Sequence, residues 1–244
     1  MKILVIPDTH FAPGSSPERM KWAARLGNSA GVALVVHLGD AWDMGSLCSH
    51  DQGTHSFSQR NFQDDIDSGR KGLQLFSDEL KVPAKKILLG GNHDDDRLGR
   101  FLEKEPRLKG TIPRTIYSVD GWKWVPYQVP YVTGGVTFCH SMPSGLMNRP
   151  ISGEHVAASL IKKTLTSCVV GHNHTLDYAE RTRGDGQKLM GLSAGCFVDP
   201  KMKFSYAGLS KMLWWNGVQV LHNVKNGSYD LETWSYDRLK KEFS

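Results

Sequence analysis

Five short apolar runs in this chain each stop at a side chain able to ligate a metal ion. Lys2-Ile3-Leu4-Val5-Ile6 leads into Pro7-Asp8-Thr9-His10, and Val32 to Val36 leads into His37-Leu38-Gly39-Asp40. Ile87-Leu88-Leu89 leads into Gly90-Gly91-Asn92-His93-Asp94, Val136 to Cys139 into His140, and Cys168-Val169-Val170 into Gly171-His172-Asn173-His174. Short continuous apolar runs read as buried strands. Loops that follow such strands sit on a rigid scaffold that can aim several side chains at one point. One strand ending in Asp or His is an ordinary polar turn. Five in succession restrict the chain to folds that bring those ends together.

Between the runs the pattern is helical. Ser16-Pro17-Glu18 supplies a cap, a first-turn proline and a first-turn acid for a helix reaching about Gly31. Phe62, Ile66, Leu73, Phe76 and Leu80 recur at helical spacing over residues 59 to 80, interrupted by Gly69 and Gly72. The acids Asp94 to Asp96 suit a helix N-terminus leading toward Glu105, and a further helix is expected near residues 153 to 165. Beyond about residue 175 the pairs Asp185-Gly186, Asn216-Gly217 and Asn226-Gly227 stand between strand-like stretches and predict an antiparallel meander. Strand–helix units followed by hairpins predict two sheets packed face to face with helices outside, and no linker divides residues 1 to 244. One domain with a hairpin-rich C-terminal part is expected.

Carboxylate, amide and imidazole donors together suit Mn, Fe, Zn, Ni or Mg rather than thiolate-seeking ions. Seven candidate ligands exceed what one ion needs, so two divalent ions are expected, Mn foremost.

The ordered motifs Asp8-Thr9-His10, Gly39-Asp40-Ala41-Trp42-Asp43, Gly91-Asn92-His93-Asp94, His140 and Gly171-His172-Asn173-His174 resemble those of the calcineurin-like metallophosphoesterases. The resemblance implies a four-layer α/β-β/α sandwich of two mixed sheets flanked by helices. It implies that Asp8, His10, Asp40 and His174 hold one metal, that Asp40 bridges, and that Asn92, His140 and His172 complete a second site. It further implies that His93 is a non-ligand histidine acting at the leaving oxygen, with Asp43 orienting it. Two cations about 3.5 to 4 Å apart can share a water and clamp a phosphoryl group during in-line attack.

Departures from subfamily patterns narrow the substrate. The arginine of the serine/threonine phosphatase motif GDxVDRG is missing here, Asp43 stands where purple acid phosphatases have tyrosine, and His10 stands where lariat-debranching enzymes have cysteine. GDxxD with GNHD resembles the phosphodiesterase and nuclease branches, and residues 40 to 65 are similar to small bacteriophage-encoded phosphoesterases. The expected function is hydrolysis of a phosphodiester of nucleic acid or nucleotide type. The alternatives are a phosphomonoesterase acting on a small phosphorylated metabolite or nucleotide, and a non-catalytic metal-binding scaffold. Retention of every ligand and of His93 favours the enzyme.

Other polar clusters have plainer readings. His50, Asp51 and His55 form a solvated loop, a substrate flap or a third metal site. His37, His155 and His222 read as packed or paired residues rather than ligands. Trp122, Trp124, Tyr127 and Tyr131 suit base stacking or hairpin packing equally, and Arg238-Leu239-Lys240-Lys241 suits a solvated terminal helix. A net charge of +5 fits an anionic partner, nucleic acid included, without requiring one. Four scattered cysteines, no signal-like leader and no membrane-length apolar run predict a reduced, cytoplasmic protein, in the host cytoplasm if phage-encoded.

Overall fold

A computed structural model describes residues 1–244 except 109, 205 and 206. Its strands are β1 (Ile3–Ile6), β2 (Leu34–His37), β3 (Lys85–Leu89), β4 (Trp122–Val125), β5 (Tyr131–Thr133), β6 (Val136–Cys139), β7 (Ser167–Val170), β8 (Leu176–Thr182), β9 (Lys188–Ala194), β10 (Gly217–Lys225) and β11 (Ser228–Ser235). Among the described residues they form a sheet in the order β11-β10-β1-β2-β3-β4 and another in the order β5-β6-β7-β9-β8. Both are mixed: β1 through β4 run parallel beside an antiparallel β10, and β6, β7 and β9 run parallel between antiparallel β5 and β8.

Side chains alternate across each strand, and the alternation builds the layers. Val5, Val36, Leu38 and Leu89 of the first sheet meet Phe138, Val169 and Leu192 of the second in one buried cluster. Leu4, Ile6, Val35 and Leu88 point the other way, against helices α1 (Arg19–Ala30) and α3 (Phe62–Glu79) and the terminal α6 (Tyr236–Phe243). Cys168 and Val170 cover the outer face of the second sheet with Val156 and Leu160 of α5 (Val156–Thr164). Helix, sheet, sheet, helix is the four-layer sandwich expected from the motifs. Of the remaining helices, α4 (Arg97–Lys104) follows directly on the loop after β3, and α2 (His55–Ser58) lies in the chain between β2 and α3.

Four expectations are corrected. Helix α1 begins at Arg19 rather than beside Ser16, because the Ser16 amide donates to Asp199 Oδ2 at 2.8 Å. The C-terminal strands are not one meander: β8 and β9 join the second sheet while β10 and β11 extend the first. Asn216-Gly217 makes no hairpin, since Asn216 bridges Cys196 in parallel and its side chain binds the Val198 backbone. Trp122 and Trp124 lie on β4, a parallel edge strand rather than a hairpin.

The glycines inside α3 have a packing reason. A Cβ at Gly69 would enter the Trp42 indole, and one at Gly72 would enter the Phe11 ring. Both rings follow metal-capable loops and are fully buried. Gly69→Ala is therefore expected to cost about 1–3 kcal/mol through overpacking, read as a lower urea midpoint. Gly99→Ala in α4, where a Cβ meets nothing within 4 Å, is the control expected to hold or raise stability.

No helix among the described residues is long and apolar enough to cross a membrane. The four cysteines are free thiols.

Candidate metal centre

The five strand-end loops converge as the sequence predicts. Asp8, His10, Asp40, His140 and His174 are all buried. Asp8, His10 and His174 bring ligand atoms within 4.8 Å of one another, and so do Asp8, Asp40 and His140. Asn92 Oδ1 lies 2.8 Å from both His140 Nε2 and His172 Nδ1, which brings the remaining two predicted ligands to the same place. Asp40 stands between the groups, its Oδ2 3.4 Å from His140 Nε2 and 3.8 Å from His10 Nε2.

The backbone is bent to achieve this. His10, Asp40, His172 and His174 all have positive φ, between 42° and 65°. Non-glycine residues in that region each cost on the order of 1–3 kcal/mol and persist where surrounding structure enforces them, commonly at functional sites. The glycines beside them act through space as much as through rotation. Gly39 has a φ of 98°. A Cβ at Gly91 would collide with Asp40 Oδ1, and one at Gly171 with Asp8 Oδ1. The backbone thereby approaches each carboxylate closely enough to donate: His93 N–H reaches Asp40 Oδ1 and His172 N–H reaches Asp8 Oδ2, both at 2.8 Å.

Electrostatics fit a cation. The His140 Nδ1 proton goes to Leu38 O at 3.0 Å, so Nε2 presents a lone pair toward the oxygens of Asn92 and Asp40. His10 Nε2 and His174 Nε2 face each other at 3.1 Å. Asp8 Oδ1 is buried with no hydrogen-bond donor among the described residues. The His140 lone pair and the oxygens of Asn92 and Asp40 repel unless a positive charge lies between them, and a mixed carboxylate, amide and imidazole set suits a divalent ion. Burial, followed by the neighbouring His93, pulls His10 down to about 3, and burial beside His140 pulls His172 to about 3. Both rings are thus neutral, the form that ligates. Burial alone would raise the Asp8 carboxyl, but His140 and the hydrogen-bonded His174 hold it well below its usual range. Burial wins at Asp40, whose carboxyl is raised.

Asp43 meets His93 as expected, its Oδ1 3.0 Å from His93 Nδ1. The same oxygen lies 3.3 Å from His10 Nδ1. One carboxylate thus faces two rings. Burial would raise Asp43, but hydrogen bonds from His10 and His93 depress it below the ordinary carboxylate range. His93 also brings a ligand atom within 4.8 Å of His10 and Asp40, so geometry alone groups it with the candidate ligands.

Residues that sequence reading missed support this arrangement. Asp94 sits in a first helical turn as expected but is also fully buried. Its oxygens accept from Gly91 N at 2.5 Å, Asp95 N at 2.7 Å and Ala41 N at 2.9 Å, tying two motif loops together. Trp214 packs edge-on against His174 with centroids 4.2 Å apart, and Phe204 against His10 at 5.8 Å. Only the Gly-Asp and Asn-His-Asp spacing signalled Asp94, and nothing local signalled the aromatics.

Asp51 pairs with Arg60 at 2.7 Å, and among the described residues no three-residue metal group forms with His50 and His55. The loop from Leu47 to Gln52 instead lines a cleft of about 870 Å³ that opens beside Asn92 and His172. His37 is buried, bonded to Thr9 Oγ1 and the Gly39 amide. His155 stands exposed at the N-cap position of α5 without a side-chain capping bond, rather than packed or paired, and His222 pairs with Glu232 at 2.9 Å.

A family model described as calcineurin-like phosphoesterase matches residues 1–193. No curated protein matches the chain. Similar solved structures include a conserved uncharacterized protein, a predicted phosphoesterase, from Streptococcus pneumoniae, at 10% identity over 97% of this chain and 90% of that one, with a TM-score of 0.38. A Thermus thermophilus protein aligns at 11% identity over 96% and 98%, with a TM-score of 0.46. Yfce, a phosphoesterase from E. coli, aligns at 11% over 97% and 100%, with a TM-score of 0.41.

Proposed function

The chain belongs to the calcineurin-like phosphoesterase family and is a metal-dependent phosphoric ester hydrolase; from that premise we propose that it cleaves a phosphodiester of nucleic acid or nucleotide type, using two divalent ions. Asp8, His10, Asp40 and His174 would hold one ion, and Asp40, Asn92, His140 and His172 the other. Divalent ions at such a site supply Lewis acidity toward the phosphoryl oxygens and lower the pKa of an attacking water. Mn suits the mixed oxygen and nitrogen donors.

The protein's own groups handle the leaving side. Asp43 holds His93 through Nδ1, which makes Nε2 the ring atom that gives a proton to the departing alkoxide. The Arg97 guanidinium braces the same turn by donating to Asp43 O at 2.6 Å and Met44 O at 3.2 Å.

The diester reading is carried by where the guanidinium groups touching these loops point. Arg19 donates to Phe197 O and Thr9 O, and Arg97 to the carbonyls just named. Arg19 thus spends its donors on backbone, and Arg97, which lines the cleft, is tied to backbone through Nη1. A monoester dianion brings a second negative charge that a bidentate arginine is suited to meet, whereas a diester brings one. The cleft beside Asn92 and His172 leaves room for the second ester substituent.

Protein stripped of metal and reloaded with Mn is expected to turn over a bis-aryl phosphodiester with a higher kcat/KM than the matching aryl monoester. A reversed preference would overturn the diester reading in favour of a small phosphorylated metabolite.

A further inference from the structure

The cleft leading away from the second half-site has one charged wall. Arg97, Arg100 and Lys104 fall at i, i+3 and i+7 on α4, a single helix face, and all three line the cleft. At 1.5 Å per residue the stripe runs roughly 10 Å outward from Asp43, where Arg97 is anchored. Arg100 pairs with Asp96 at 2.8 Å, yet its side chain is 76% exposed, so the pair is weak and exchangeable. Glu103 also lines this wall and, with Asp96, tempers its charge.

The same cleft carries flat apolar surface. Phe101, next to Arg100 on α4 and packed in part against the core, lines the cleft together with Tyr127, whose ring is edge-on to His140 at 5.9 Å. Met147 lines the rim while 79% exposed. Cations spaced along a groove with interleaved aromatic rings are the means by which proteins hold single-stranded nucleic acid, the backbone meeting the charges and the bases stacking on the rings. A compact ester would leave the outer part of such a wall unused.

We infer that this cleft binds the flanking segment of a single-stranded polynucleotide, with Arg100 and Lys104 each on a phosphate beyond the one cleaved and Phe101 and Tyr127 against its bases. The inference rests on the phosphodiester reading above and narrows it to a polymer.

The test uses Mn-loaded protein, a short oligothymidylate and a bis-aryl phosphodiester, with kcat and KM measured across a salt series. For the oligonucleotide, the doubly substituted Arg100→Ala, Lys104→Ala protein is expected to show a KM raised about tenfold. Its slope of log affinity against log salt should flatten by about 1.4, the value for two lost single-strand phosphate contacts. The charge-preserving Arg100→Lys, Lys104→Arg protein should recover both. An unchanged KM and slope in the alanine protein would overturn the inference, as would equal cleavage of the same sequence in duplex form. Wild-type protein that hydrolyses the aryl diester but not the oligonucleotide would overturn the inference alone. Wild-type inactivity on the aryl diester would overturn the underlying reading as well.

Discussion

Asp40→Ala is expected to lower metal-dependent kcat/KM for an aryl phosphodiester by about 10³-fold or more, several kcal/mol of transition-state stabilisation. The size follows from position. Asp40 Oδ2 faces His140 on one side and His10 on the other, so one substitution removes a donor from both ligand groups. Its Oδ1 also receives the His93 amide, which sets the turn that carries the histidine proposed to act at the leaving group. Stability should not follow activity. Burial raises the Asp40 carboxyl, which means its charge is disfavoured in the metal-free fold and grows more costly as pH rises. Metal-free Asp40→Ala is thus expected to melt no lower than metal-free wild type near neutral pH, while metal rescues only the wild type. Measuring activity, metal content and melting on the same preparations separates a lost site from a lost fold.

His93→Ala is expected to lower kcat by about 10²–10⁴-fold, the usual range for a positioned general acid, with two ions still bound per chain. The loss should shrink as the leaving group improves, since a nitrophenolate needs little protonation and an alkoxide needs much. A decrease that is uniform across leaving groups would assign His93 to metal binding, the role its closeness to His10 and Asp40 also permits. Metal analysis of the same variant decides between these directly.

Much of the site was legible because its residues sit at strand ends. Strand ends are set by local apolar runs, and parallel strands bring their ends to one edge without further information. Asp8 and Asp40 could be placed together on that ground, as could His140 and His174, while the meeting of the two sheets' edges was implied only by the motif resemblance. What joins distant segments was not legible. Gly69 and Gly72 read as weaknesses in a helix until Trp42 and Phe11, from the strand-end loops, were found against them. Asp43 reaching His10 depends on how two loops cross, and Asp94 binding Ala41 depends on the same crossing. Asn216-Gly217 carried a hairpin signal that a side-chain contact with Val198 overrode. The α4 wall was legible only as a short helix leading toward Glu105, because residue spacing shows which side chains share a face and not what that face borders.

The most direct test titrates Mn into metal-free protein while following hydrolysis of the bis-aryl phosphodiester. The two-ion account predicts no turnover without metal and a rise that completes at two equivalents per chain. Turnover in the stripped protein equal to that of the reloaded protein would contradict it, as would two equivalents bound with no hydrolysis.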